Sequence, residues 1–194
     1  MGFPRVTLGL PGWVEEFLSD PDRSYPTQEE RMRLAIELSR LNVEHGTGGP
    51  FGAGIFDLST NRLVAPGVNL VTTANLSAAH AEVVAIMVAQ QVVGHFDLGG
   101  QGRPPYELVA STEPCAMCFG SVPWSGVRQL VCGARDEDAR SIGFDEGPKM
   151  SDWVSSLEQR GISVVRDTCR DEAAAVLRNY AESGGEIYNA RQGD

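Results

Sequence analysis

The chain has 194 residues, 26 of them acidic and 16 basic, with a formal net charge of −10 and 42% hydrophobic content. A chain of this length fits one compact domain that buries roughly 70% of its unfolded surface without cross-links. Its acidity, with no stretch that concentrates Lys and Arg, argues against a nucleic-acid partner, because neutralised phosphates supply most non-specific affinity for such polymers.

Met1 to Leu10 holds one Arg and no long apolar run, so it reads as neither a signal peptide nor a membrane anchor. Residues 1–26 are expected to form an extension packing on the domain. Thr27-Gln28-Glu29-Glu30 has the form of a capping box, and Met32, Leu34, Ala35, Ile36, Leu38 and Leu41 follow at helical spacing, predicting a helix from Thr27 to Glu44. Gly46, Gly48, Gly49 and Pro50 end it. Phe51–Leu58 and Leu63–Asn69, joined by Ser59-Thr60-Asn61, then read as a hairpin.

Ala81–Val93 is apolar almost all round, which predicts a helix buried in the core. Leu98–Pro105, rich in Gly and Pro, reads as a surface loop. Tyr106–Ser111 reads as the third strand, Cys115–Trp124 as a helix and Gln129–Cys132 as the fourth strand. Ser151 is the expected cap of a helix ending near Gly161, Ile162–Val165 the fifth strand, and Thr168 the cap of a last helix reaching Tyr180. The alternation predicts an α/β fold with helices on both faces of one mixed sheet, spanning 27–181, and leaves 182–194 as a tail.

Two segments carry chemistry: His80-Ala81-Glu82 and Pro114-Cys115-Ala116-Met117-Cys118. They reproduce the H-x-E and P-C-x-x-C signature of zinc-dependent nucleobase deaminases. His80, Cys115 and Cys118 make three zinc ligands and leave a fourth tetrahedral position open for water, as a catalytic site requires. Zinc acidifies that water. Two thiolates cancel the metal's charge, so a nearby base is needed, and Glu82 stands two residues from His80 at the same helix start. His80 and Glu82 open one helix and Cys115 with Cys118 open another, where unsatisfied N–H groups and the positive dipole end favour thiolate. Pro114 suits the first turn of the second helix. A C-x-x-C alone also serves redox pairs and structural zinc sites, but no second such pair exists here. Cys132 and Cys169 read as packing or surface thiols, and His45 and His95 as ordinary polar residues. Four cysteines in this pattern fit a reducing, cytoplasmic setting.

Over Arg31–Met150 the chain resembles the cytidine deaminase superfamily. Gly49-Pro50-Phe51-Gly52-Ala53, Asn69-Leu70-Val71-Thr72-Thr73, the two zinc segments with Glu113, and Gly143-Phe144-Asp145-Glu146 are most similar to the bacterial guanine deaminases within it. The resemblance implies a three-layer α/β/α fold with a five-stranded mixed sheet, one Zn²⁺ per chain, a homodimer, and hydrolysis of guanine to xanthine and ammonia. It implies that Phe51 packs on the purine, that Asn69 hydrogen-bonds its oxo and ring-nitrogen edge, and that the backbone N–H of Ala81 contacts the group at the reacting centre. Asp145 or Glu146 would orient the ring and move a proton beside Glu82. Guanine presents N–H donors where adenine presents an acceptor, and an ionised carboxylate only accepts. Tyr188 in the tail is the expected closing residue, from the same chain or a partner.

Each assignment has a plainer counterpart. Phe51 also suits the start of a core strand, Asn69 a turn, Gly143–Pro148 an acidic surface turn, and Trp124 either a pocket wall or a buried structural position. The recognised edge recurs in amino-oxo triazines such as ammeline, which are expected as further substrates. Other superfamily deaminases, acting on cytosine, a nucleoside or tRNA adenosine, and a catalytically silent zinc domain are the competing readings.

Overall fold

The computed structural model describes residues 2–191. Helix α1 (Gly12–Phe17) is followed by α2 (Gln28–Glu44), β1 (Gly52–Asp57), β2 (Arg62–Val68), α3 (Val71–Ala74), α4 (Ala81–Val93), β3 (Tyr106–Thr112), α5 (Ala116–Ser125), β4 (Gln129–Ala134), α6 (Asp136–Ser141), α7 (Trp153–Glu158), β5 (Ser163–Val165) and α8 (Arg170–Glu182). The strands form one mixed sheet in the order β2-β1-β3-β4-β5. β1 runs antiparallel to both neighbours, and β3, β4 and β5 run parallel.

Strand alternation divides the core between the two faces. Phe56, Val109 and Val131 join α2 and α8 through Met32, Ala35, Leu38, Ala173 and Leu177. Ala53, Ile55, Leu108, Leu130 and Cys132 point the other way, onto Ala85, Ile86 and Ala89 of α4, Val122 of α5 and Leu157 of α7. The result is the three-layer α/β/α architecture expected. The N-terminal segment contributes Val14 and Tyr25 to the first cluster.

The capping box forms as read: Thr27 Oγ1 accepts from Glu30 N at 3.2 Å, and Glu30 Oε2 accepts from Thr27 N at 2.9 Å. Helix α4 has its expected limits but not its expected burial, since Met87 and Val92 lie exposed. Two cap assignments also differ. α7 starts after Asp152 and α8 after Cys169, and neither of these side chains makes a cap bond. α8 is instead entered through left-handed backbone at Asp167 and Cys169.

Close approach at one glycine positions the start of α4. A Cβ on Gly67 of β2 would stand 2.1 Å from Ala81 O and 2.6 Å from Ala85 N, so only glycine lets the helix rest on the strand there. No helix among the described residues is long and apolar enough to cross a membrane.

Candidate active site

Two helix starts meet above the sheet. His80 is the N-cap residue of α4 with extended backbone, and Glu82 stands in the first turn. Cys115, where β3 hands over to α5, is the N-cap of α5, and its Sγ accepts from Cys118 N at 3.5 Å. The ligand atoms of His80, Cys115 and Cys118 all lie within 4.8 Å of one another, and His80 Nδ1 is 3.5 Å from Cys115 Sγ. One imidazole nitrogen and two sulfurs at this spacing fit a single zinc ion with an open position.

The electrostatics are those of a buried acidic site. Hydrogen bonding from Cys118 lowers the Cys115 thiol to about 4 against the opposing effect of burial, and His80 adds to the lowering. The same bond, with burial, raises Cys118 well above the usual thiol value. Burial pulls the His80 pKa down, but its bond to Cys115 and the charges of Glu82, Cys115 and Glu146 leave it raised. Glu82 is pushed up to about 7, by burial first and then by the Cys115 charge. Glu146 is pushed up to about 8 by burial, then by Cys115 and Glu82.

A cavity of about 210 Å³ opens on these groups, lined by Phe51, Val71, Ser77, His80, Glu82, Glu113, Cys115, Phe144, Asp145, Glu146, Tyr188, Asn189 and Ala190. The adjacent carboxylates Asp145 and Glu146 part company. Glu146 is 6% exposed, while the Asp145 side chain is 68% exposed on the rim and its Oδ1 accepts from Gly147 N. Phe51 contributes to the cavity wall and packs edge-on against Phe144, with ring centroids 5.0 Å apart. Asn69 is buried and does not itself line the cavity. Its Oδ1 accepts from Val71 N at 3.2 Å, and its Nδ2 donates to no described residue. Ala81 is buried at the first position of α4, where backbone N–H groups lack partners within the helix.

The C-terminal segment reaches the site from the same chain. Tyr188 packs edge-on against Phe144 at 5.1 Å, and its buried hydroxyl has no hydrogen-bond partner. A Cβ on Gly49 would stand 2.0 Å from that hydroxyl. Asn189 clamps the segment down: its Oδ1 accepts from Asp145 N at 2.9 Å and its Nδ2 donates to Gly143 O at 2.8 Å. Trp124 lies outside the cavity, 85% exposed.

Several contributors have no role assigned from the sequence alone. Asn42 of α2 donates from Nδ2 to Gly49 O and Asn69 O at 2.9 and 2.8 Å, tying together the segments on either side of Phe51. Glu113 is buried against Arg166 at 2.6 Å and Lys149 at 3.6 Å. A polar residue at a core-facing helical position was the one available signal for Asn42. Nothing local marks Asn189.

The profile of the cytidine and deoxycytidylate deaminase zinc-binding region matches residues 26–134, the stretch that holds all three zinc ligands and Glu82. The chain belongs to this deaminase family. Among its relatives, the guanine deaminase of Bacillus subtilis is 34% identical over 155 residues, covering 79% of this chain and 95% of the relative. The solved guanine deaminase of Nitrosomonas europaea shares 44% identity, with a TM-score of 0.87 over 93% of this chain and 100% of that one. A solved structure in complex with 2,6-diaminopurine is 46% identical, with a TM-score of 0.89 over 96% of this chain and 98% of that one. As a member of this family the chain is a zinc-dependent hydrolase.

Proposed function

We propose that this enzyme hydrolyses guanine to xanthine and ammonia in the cytoplasm, as a homodimer and without a nucleic-acid partner. The observation that carries the substrate reading is the cavity itself. At about 210 Å³ it falls below the roughly 300–1,000 Å³ typical of drug-sized ligands. Its wall includes Tyr188, Asn189 and Ala190 of the chain's own C-terminal segment. A free base suits such a space better than a nucleoside or a polynucleotide, and relatives named guanine deaminase support the choice of base.

His80, Cys115 and Cys118 would hold the zinc, which when bound makes water nucleophilic at neutral pH. Glu82 is buried beside these ligands, and burial raises its carboxyl pKa toward neutrality, as suits a general base. It takes a proton from the attacking water and passes it to the ring nitrogen beside the amino-bearing carbon. Burial, with the Cys115 and Glu82 charges, pushes the Glu146 pKa up to about 8. The N–H donors of guanine favour the ionised form of Glu146, and that carboxylate, beside Glu82, takes the hydroxyl proton of the tetrahedral adduct and delivers it to the departing amino group. Ammonia leaves as the new carbonyl of xanthine forms. Phe51 stacks on the ring, the unused Nδ2 of Asn69 and the N–H of Ala81 supply donors, and the Tyr188 hydroxyl closes the site from above the base. Asp145, on the rim, orients the loop that carries Glu146.

The dimer reading rests on the distribution of exposed apolar side chains. Met87 and Val92 of α4, Phe96 just beyond it, and Met117 and Trp124 of α5 lie exposed on or beside the helices that carry the zinc ligands. A second copy of this face is the occupant proposed. The cytoplasmic reading rests on four unpaired thiols.

Release of ammonia and xanthine from guanine by zinc-loaded protein tests the activity, with cytosine, cytidine, adenine, adenosine and guanosine alongside. Turnover of cytosine without guanine would replace the substrate proposed. Glu82→Gln keeps shape and removes the base, so turnover falls by at least about 100-fold with zinc retained. Unchanged turnover in that variant would remove Glu82 from the reaction. Ammeline shares the recognised edge and is turned over with a higher KM than guanine, having no five-membered ring to contact Asn69. Complete inertness of ammeline under conditions that convert guanine would refute this extension.

A further inference from the structure

Fifteen of the sixteen basic residues are arginine, and Lys149 is the single lysine of the chain. It is also a buried cation, its side chain 5% exposed. Nζ donates to Pro114 O at 3.0 Å, lies 3.1 Å from Asp136 Oδ2 and 3.6 Å from Glu113 Oε2, and stands 4.9 Å from the centre of the Trp153 ring. Lys149 belongs to the turn that carries Glu146, and its backbone N–H donates to Gly147 O at 3.0 Å. That turn is held at a second point, where Ala116 N donates to Glu146 O at 2.9 Å. Pro114 and Ala116 are the two neighbours of Cys115.

We propose that Lys149 is a positioning residue that locks the Glu146 turn onto the Pro114 flank of Cys115, complementing the Ala116–Glu146 bond on the other flank, and so fixes the second carboxylate over the reacting centre. The inference rests on the reading of Glu146 given above. The ammonium is required as such. It donates to one backbone carbonyl and pairs with two carboxylates on separate segments, with an aromatic face on the remaining side. A compact head with three rotatable donors meets such a set, and the flat fork of a guanidinium, built for bidentate pairing, does not. This accounts for a lysine at the one place where the chain departs from arginine.

The test compares Lys149→Arg, Lys149→Met and Glu146→Gln for kcat, KM and zinc content with guanine. Lys149→Arg keeps the charge and the metal but lowers kcat about tenfold or more at little-changed KM, because small displacements of a reacting group are costly. Lys149→Met lowers it further. A lysine that merely stabilised the fold would lower the melting temperature and leave kcat per zinc within about twofold of wild type in Lys149→Arg, and that result overturns the inference. If Glu146→Gln leaves kcat unchanged, the reading of Glu146 falls as well. If Glu146→Gln lowers kcat and Lys149→Arg does not, only the role of Lys149 falls.

A measurement on the unaltered enzyme covers the case in which the variants do not fold. Reductive methylation followed by mass spectrometry reads one lysine. The locked ammonium should resist modification relative to a lysine reference peptide, and modified protein should lose activity in proportion. Full methylation at Lys149 with full activity overturns the proposal.

Discussion

Replacing Asn42 by Leu should weaken both the fold and the substrate's grip. The amide is fully buried, and its Nδ2 is shared between Gly49 O and Asn69 O. Its Oδ1 accepts from Thr47 Oγ1 at 2.7 Å. Leucine is of similar size, so the cavity contribution is small and the cost is that of lost polar partners. Thr47 Oγ1 retains the backbone carbonyl of residue 42 at 3.3 Å and Gly49 O retains Phe51 N at 2.8 Å, which leaves Asn69 O as the stranded acceptor. At about 1–3 kcal/mol for a stranded buried acceptor and about 0.5–1.5 kcal/mol for the lost bond to Gly49 O, the loss is roughly 2–4 kcal/mol. For a chain of this size that lowers the melting temperature by roughly 10 °C, at 2–4 °C per kcal/mol. The same bonds fix Phe51 from both sides, since Phe51 N donates to Gly49 O and Asn69 N donates to Phe51 O. KM for guanine should therefore rise more than kcat falls, because neither zinc-bearing helix is touched. Differential scanning fluorimetry with steady-state kinetics decides it. A melting temperature within about 2 °C of wild type, with KM unchanged, would refute the reasoning.

Gly49→Ala drives a methyl group into the Tyr188 hydroxyl and should displace the C-terminal segment, raising KM for guanine while the melting temperature changes little; an unchanged KM would show that the segment does not shape the site. Trp124→Glu places a charge on the exposed apolar face and should shift a dimer toward monomer in sedimentation; a dimer of undiminished strength would move the interface elsewhere. Asp138 is held below the ordinary carboxylate range, chiefly by its hydrogen bond to Arg170 and against the effect of burial, with Arg135 N helping. A lowered folded-state pKa contributes stability that is complete above the unfolded value near 4 and is lost as pH falls through the folded value. Asp138→Asn should therefore destabilise at neutral pH and flatten the decline in melting temperature below about pH 4. A decline as steep as in wild type would assign the acid sensitivity to other pairs.

What could be read in the sequence was whatever is encoded within a few residues. The capping box at Thr27, the full extent of α4 and the zinc segments each depend on spacings of four residues or fewer. α1, α3 and α6, of six, four and six residues, are too short to display helical periodicity. They follow Pro11, Leu70 and Arg135, none of which marks a helix start as Ser151 does near the equally short α7. α6 buries only Ala139 and starts from a backbone–carboxylate bond between Arg135 N and Asp138. The starts of α7 and α8 were misplaced for a related reason. Ser151 and Thr168 are good capping residues, but the structure starts one helix beside buried Trp153 and the other from a left-handed turn.

The site follows the same division between local and distant information. His80, Glu82, Cys115 and Cys118 could be named because their chemistry resides in residue type and short spacing. Their support could not, because it comes from far along the chain: Asn42 bonds a residue 27 positions away, Lys149 one 35 away and Asn189 one 46 away. The choice between Asp145 and Glu146 is the clearest case. Two adjacent carboxylates are equivalent on paper, yet the turn at Gly147, with φ of 69°, takes Asp145 Oδ1 as acceptor for its own N–H and leaves Glu146 facing inward. Asn189 then holds Asp145 N and Gly143 O, so the C-terminal segment that narrows the cavity also fixes the carboxylate inside it. Closing the site over a base and aiming Glu146 at it are thus one structural act, and any substitution that frees the tail should disturb kcat as well as KM.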